Sequence, residues 1–138
     1  MKIIVSACLL GENCKYNGGN NYSEKVAQFV KGREVIRVCP EVLAGLGIPR
    51  TPIEICGDRV ISKTGEDVTD CLIHAVKTIL SQIADEDIEC AVLKSRSPTC
   101  GVRQVYDGTF TGTLVDDSGI LAGALKMLGI PVIDAEDL

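Results

Sequence analysis

Short apolar segments rich in valine and isoleucine recur along the chain and alternate with segments of helical periodicity. The strand-like segments are residues 2–6, 34–38, 89–93 and 131–134. Strands that alternate with helices favour right-handed crossovers and a parallel sheet that is covered on both faces. The pattern therefore predicts an α/β fold, a single three-layer domain over residues 1–138 with a mainly parallel sheet of about four core strands.

Three segments between these strands have the pattern of helices. The clearest follows Asp67, where apolar residues repeat at i, i+3, i+4 and i+7 as far as Ile83 while the opposite side is polar. Two shorter helices are expected over residues 23–30 and from about residue 118 to Leu128. Each of these helices can cover one face of the predicted sheet.

The remaining segments are predicted to be turns and loops. Residues 53–62 have the pattern of a small β-hairpin, with its turn at Gly57 and Asp58. Two longer stretches, residues 9–22 and 94–113, are rich in glycine and polar side chains and are interpreted as loops. Structureless loops of this length in a compact domain usually have a functional role.

Composition and charge exclude several classes of function. The chain is 46% hydrophobic and 24% charged, as in ordinary globular proteins, with a formal net charge of −5. It contains no cluster of lysine and arginine, so binding to nucleic acid through a basic surface is not expected. No signal-peptide pattern and no apolar run of membrane-spanning length are found, and we expect a cytoplasmic protein with no membrane partner.

Three of the seven cysteines stand where strand-like segments end. Cys8 and Cys39 directly follow the first two segments, and Cys100 lies a few residues beyond the third. The carboxyl ends of parallel strands meet at one edge of a sheet, which is the usual position of ligand sites in open α/β folds. We therefore expect these three thiols to converge on one crevice, closed over by the loops that follow the strands.

The other four cysteines divide into two kinds. Cys71 belongs to the apolar stripe of the long helix, while Cys56 and Cys90 lie in the hairpin and a strand, so all three are expected to be buried hydrophobic residues. Cys14 lies in a polar loop, where a thiol has little reason to exist for packing alone. Cys14 is therefore a further ligand candidate or a neighbour of the other three loop thiols.

Thiols in this arrangement are compatible with three kinds of site. A structural zinc module would use Cys8, Cys14, Cys39 and Cys100, but the chain lacks a C-x2-C pair and its only histidine, His74, lies on the polar side of a helix. An iron–sulfur cluster tolerates ligands from separate loops, and three cysteines leave one iron open. In a thiol-redox or sulfur-carrier protein, Cys8 and Cys14 would cycle as a disulfide.

Three polar residues near these cysteines are candidates for chemistry. Glu41 follows Cys39 at an expected helix start, where it can act as a general base or merely complement the helix dipole. Ser97 precedes Pro98 and either belongs to a turn or contacts substrate. Arg50 can bind an anion or be a solvated loop residue.

Four blocks of the sequence together resemble the thiouracil desulfurase family, in order and over essentially the whole chain. The blocks lie within residues 5–18, 39–54, 65–69 and 93–110. Small departures from the family pattern are Lys15, where arginine is more usual, and Thr99, where serine is common. Neither departure replaces a cysteine.

The resemblance implies a [4Fe–4S] cluster that is held by Cys8, Cys39 and Cys100, with the fourth iron open to substrate. It further implies that Glu41 is the acidic catalytic residue and that Ser97 positions the substrate. The activity it implies is removal of sulfur from a thiolated pyrimidine such as 2-thiouracil, with release of hydrogen sulfide and no net redox change. The native thiolated substrate, the oligomeric state and the role of Cys14 do not follow from it.

Overall fold

A four-stranded parallel sheet forms the centre of the protein in a computed structural model that describes residues 1–138. Its strands in chain order are β1 (Lys2–Ser6), β2 (Glu34–Val38), β5 (Ile88–Leu93) and β8 (Val132–Asp134), which are arranged β2-β1-β5-β8 across the sheet. Four helices accompany them: α1 (Glu24–Val30), α2 (Pro40–Leu43), α3 (Thr69–Ile83) and α4 (Ile120–Met127). None of these helices combines the length and the apolarity that crossing a membrane requires. The predicted α/β fold is confirmed.

The central strand β1 is buried on both faces of the sheet, as parallel strands with helical crossovers usually are. It pairs with β2 from Lys2 opposite Glu34 and with β5 up to Val5 opposite Val92. Ile3, Ile4 and Val5 in β1 are completely buried. An apolar run of consecutive residues is therefore the correct sequence signature for this strand.

Helices cover the two faces of the sheet and give it three layers. Because successive side chains in a strand point to opposite faces, Ile4 joins a hydrophobic cluster with Ile79 of α3 and Leu121 of α4. Ile3 on the other face joins a second cluster with Val26 of α1. Ser23 begins α1 as its N-cap, where its Oγ accepts a hydrogen bond from the Val26 amide.

Two antiparallel hairpins lie outside the main sheet. The predicted hairpin is present as β3 (Ile53–Cys56) and β4 (Arg59–Ser62). A second hairpin is formed by β6 (Gln104–Tyr106) and β7 (Leu114–Asp116). The interpretation of residues 94–113 as an uninterrupted loop was therefore wrong, because strands of three residues are too short to show the alternation that identifies a strand.

The three cysteines that were expected to be buried differ in their exposure. Cys90 is buried in the core, as predicted. Cys56 is exposed, and the prediction for it was wrong because the residue ends β3 next to the hairpin turn. Cys71 is only partly buried, at the margin of the apolar stripe of α3, where its thiol donates to the Val68 carbonyl oxygen at 3.1 Å.

The loop that carries Cys100 is fastened to the N-terminus of α4 through backbone contacts. The amides of Ile120 and Leu121 donate to the carbonyl oxygens of Pro98 and Thr99, at 3.1 Å and 2.8 Å. These bonds satisfy amide groups that a helix N-terminus otherwise leaves without a partner. Gly119 allows this close approach, since a Cβ atom there would lie 2.5 Å from the Thr99 carbonyl carbon.

We predict that Gly119→Ala destabilises the protein by about 1–3 kcal/mol, because the added methyl group would overlap the backbone of the Cys100 loop. The matched control is Gly123→Ala within α4, where the nearest atom to the new Cβ is the Ser118 Cβ at 3.9 Å. This control should be neutral or stabilise the protein by about 0.5–1 kcal/mol. Urea unfolding of both variants measures the difference, and equal unfolding free energies would contradict the role given to Gly119.

Candidate functional site

A cavity of about 420 Å³ opens at the carboxyl edge of the parallel sheet. It lies where the chain leaves β1 for α1 on one face and leaves β5 toward α4 on the other, which is the position at which open α/β sheets form a crevice. The structure brings all of the predicted site residues to its wall: Cys8, Cys14, Cys39, Glu41, Ser97 and Cys100.

Each of the three strand-end thiols reaches the cavity from a different local structure. Cys8 lies in a 3-10 turn (Ala7–Leu10) that continues β1, and its sulfur accepts a hydrogen bond from the Asn21 side-chain amide at 3.4 Å. Cys39 is the N-cap residue of α2, and Cys100 lies in the loop fastened to α4 with 5% of its surface exposed. All seven cysteines of the chain are free thiols.

Burial makes two of these thiols hard to ionise. It raises the pKa of Cys8 above its ordinary value, although the Asn21 hydrogen bond opposes the rise. It raises the pKa of Cys100 to about 12. Because the thiolate is the form of cysteine that attacks and that binds metals, these raised pKa values favour the neutral thiol at both positions.

Cys14 shares the cavity wall with the other thiols and is 9% exposed. Burial is the main cause that raises the pKa of Cys14 to about 12, with the neighbouring Cys39 and Cys8 thiols next. Its carbonyl oxygen lies 4.0 Å from the Cys39 sulfur and accepts a hydrogen bond from the Arg50 guanidinium at 2.7 Å. Cys14 thus contributes to the wall through its backbone as well as its thiol.

Glu41 is held from two sides in the first turn of α2, where Pro40 occupies the first helical position. One carboxylate oxygen lies 3.4 Å from the Arg50 Nε, and the other accepts a hydrogen bond from the Thr99 hydroxyl at 3.3 Å. The Arg50 side chain is only 6% exposed, so the solvated alternative for this residue was wrong. The anion that Arg50 contacts is the carboxylate of Glu41.

Ser97 belongs to a turn, which was one of the two alternatives for it, and its side chain also lines the cavity. Its Oγ accepts hydrogen bonds from the backbone amides of Thr99 at 3.2 Å and Cys100 at 3.1 Å. The hydroxyl therefore helps to shape the backbone that presents the Cys100 thiol.

Two residues at the cavity were not identified from the sequence as functional candidates. Thr99 is almost completely buried between Glu41 and Cys100, and its only signal was its place inside a motif. Lys94 is partly buried, and burial lowers its pKa. Its ammonium group donates to the backbone and side-chain oxygens of Ser95, each at 3.2 Å.

The donor set fits an iron–sulfur cluster better than a single metal ion. No three side chains among histidine, cysteine, aspartate and glutamate lie close enough together to hold one ion. His74 is exposed on α3 and does not line the cavity. A cluster is larger than an ion and can be held by cysteines from separate loops, and Cys8, Cys39 and Cys100 reach this cavity from separate segments of the chain.

Comparisons with known proteins agree with the resemblance seen in the sequence. A family model described as 2-thiouracil desulfurase matches residues 3–137. YbbK, an uncharacterized protein of Bacillus subtilis (strain 168), is 35% identical over an alignment 146 residues long, and the alignment covers 99% of this chain and 97% of that protein. The solved structure of the [4Fe–4S]-dependent thiouracil desulfidase TudS is similar at a TM-score of 0.90 and 36% identity, over 99% of this chain and 92% of that one. On the match of the family model to nearly every residue, the chain belongs to the 2-thiouracil desulfurase family.

Proposed function

We propose that the protein removes sulfur from a small thiolated pyrimidine, 2-thiouracil or a close analogue. The thiocarbonyl compound and water give the oxo base and hydrogen sulfide, with no net oxidation or reduction. The observation that carries this proposal is the meeting of three strand-end thiols with Glu41 and Ser97 in one cavity. Membership of the desulfurase family supports the same reaction class.

The residues that would hold a [4Fe–4S] cluster are Cys8, Cys39 and Cys100. A cluster held by only these three residues would have one iron without a protein ligand, and would supply Lewis acidity toward the sulfur of the substrate. Ligation requires thiolates, so loading of the site releases protons from thiols whose burial favours the neutral form. In support, the structural neighbour TudS is described as [4Fe–4S]-dependent.

Glu41 is proposed as the general base. Its carboxylate takes a proton from a water molecule that attacks the carbon bearing the sulfur. As the carbon–sulfur bond breaks, Glu41 returns this proton to the sulfur, and the second water proton follows from the new hydroxyl group, which leaves the oxo base and hydrogen sulfide. The contacts with Arg50 and Thr99 hold this carboxylate in one orientation. A base that is oriented in advance lowers the cost of reaching the transition state.

Ser97 is proposed to position the base of the substrate. Its hydroxyl lines the cavity and can form a hydrogen bond with a polar edge of the pyrimidine. Tyr106 and Pro98 also line the cavity and provide less polar surface for the ring.

The first test of this function is sulfide release from 2-thiouracil. The protein is reconstituted with iron and sulfide under anaerobic conditions, and its iron content and visible absorption are measured before substrate is added. We expect stoichiometric formation of uracil and hydrogen sulfide. Full cluster absorption without sulfide release would contradict the proposed substrate class.

Glu41→Gln should lower kcat by about 10²- to 10⁴-fold, because the amide cannot accept the proton while its shape is preserved. Iron content per chain should stay at the wild-type level. Glu12→Gln is a matched control, since Glu12 contacts the exposed Arg37 and does not line the cavity. Loss of iron together with activity in Glu41→Gln would show that Glu41 supports the site structurally.

Single substitutions of all seven cysteines should separate the ligands from the other thiols. Replacement of Cys8, Cys39 or Cys100 should empty the site, because the loss of one ligand leaves a second iron without protein coordination. Alanine at Cys56, Cys71 and Cys90 should keep the iron, at a cost of about 1 kcal/mol or less in stability. Cys14→Ser should retain at least part of the cluster.

The measurement for this series is iron per chain after identical anaerobic reconstitution, with the unfolding free energy of each apoprotein as the control for folding. An empty site in Cys71→Ala beside a full one in Cys39→Ala would contradict the proposed ligand set.

A further inference from the structure

Thr99 occupies a central position in the site, although the reaction proposed above does not use it directly. Its side chain is 1% exposed. The hydroxyl oxygen lies 3.3 Å from Glu41 Oε2, 3.1 Å from Ser97 Oγ and 3.8 Å from the Cys100 sulfur. One buried hydroxyl thus contacts the proposed base, the proposed positioning residue and a proposed ligand.

The directions of these hydrogen bonds follow from counting donors and acceptors. A serine hydroxyl has one proton and two acceptor positions. Both acceptor positions of Ser97 are taken by the backbone amides of Thr99 and Cys100. Toward the Thr99 hydroxyl, Ser97 can therefore act only as the donor.

The direction from Thr99 to Glu41 follows in the same way. An ionised carboxylate can only accept hydrogen bonds, so Thr99 is the donor in this contact. Because Thr99 has a single proton, donation to Glu41 at 3.3 Å excludes donation to Ser97 and to the Cys100 sulfur, which is farther away at 3.8 Å. The three residues therefore form an ordered series in which Ser97 donates to Thr99 and Thr99 donates to Glu41.

This order has a different consequence at each end of the series. Ser97 has one proton and no free acceptor position, so it can contact a substrate only as a donor, by turning this proton from Thr99 to the substrate. Glu41 is fixed at one oxygen by Arg50 and at the other by Thr99. Removal of the Thr99 hydroxyl would release one side of the carboxylate and leave the Ser97 proton available.

We propose that Thr99 is a positioning residue whose hydroxyl orients the Glu41 carboxylate for the chemical step. The inference rests on the proposed function, because it assigns roles within that reaction. In this assignment Thr99 affects the chemical step, because it orients the base, whereas Ser97 maintains substrate binding alone.

The experiment compares Thr99→Val, which keeps the shape without the hydroxyl, with Thr99→Ser, which keeps the hydroxyl. Thr69→Val is the matched control, since Thr69 is a buried threonine outside the cavity whose hydroxyl accepts a hydrogen bond from the Val60 amide. Each reconstituted variant is measured for kcat and KM with 2-thiouracil, for the Kd of uracil and for iron per chain.

Thr99→Val should lower kcat by about 10²-fold through misorientation of the base, with KM, the Kd of uracil and iron content close to wild type. Thr99→Ser should restore most of kcat, and Thr69→Val should have wild-type kcat. Wild-type kcat in Thr99→Val would overturn the inference. Equal loss in Thr99→Ser, loss of uracil binding in Thr99→Val, or the same fall in Thr69→Val would also overturn it.

A second hydroxyl-free variant, Thr99→Ala, covers the case in which valine does not fit. If both hydroxyl-free variants lose iron while Thr99→Ser keeps it, Thr99 supports the Cys100 loop and the positioning role is wrong. A wild-type protein with a full cluster and no sulfide release would overturn the proposed function, and the inference with it. If only the role of Thr99 is wrong, the wild-type protein still releases sulfide from 2-thiouracil.

Discussion

The contact between the N-terminus of α4 and the Cys100 loop holds the part of the site that carries Ser97, Thr99 and Cys100. Backbone amides of Gly119, Ile120 and Leu121 donate to carbonyl oxygens of the loop. The helix itself is fixed by Leu121 and Leu125, which are completely buried against the sheet. The hydrophobic core therefore fixes α4, and backbone hydrogen bonds from α4 fix the loop that carries the Cys100 thiol. These hydrogen bonds do not involve side chains.

The sequence could predict helices and strands with a regular hydrophobic period, and residues whose place follows from the geometry of a parallel sheet. The apolar stripe that ends at Ile83 is long enough to identify α3 without ambiguity. The cysteines after β1 and β2 could be expected to meet because parallel strands end at one edge of a sheet. Their convergence on one cavity needed no knowledge of how the intervening loops run.

The parts that sequence could not predict depend on the paths of loops. Arg50 and Glu41 are close only because the chain after α2 turns back on itself, and no period or motif describes such a turn. Cys56 looked apolar within its strand but lies beside a tight turn, where one residue of register decides its exposure. The direction of the Ser97 and Thr99 hydroxyls follows only from the complete set of neighbouring amides.

The pairing of β1 with β5 joins strands that are far apart in the chain and are therefore synthesised at different times. Lys2 in β1 pairs with Ile88 in β5. The second strand that pairs with β1 is therefore synthesised only after most of the chain. Chains emerge from the ribosome N-terminus first, and pairing across such a separation follows local folding. The loops at Cys8 and Cys39 belong to the half that is made early, whereas Cys100 arrives with the half that closes the sheet. The three thiols therefore exist together only once the first 100 of the 138 residues have been made, and the last strand of the sheet, β8, follows all of them.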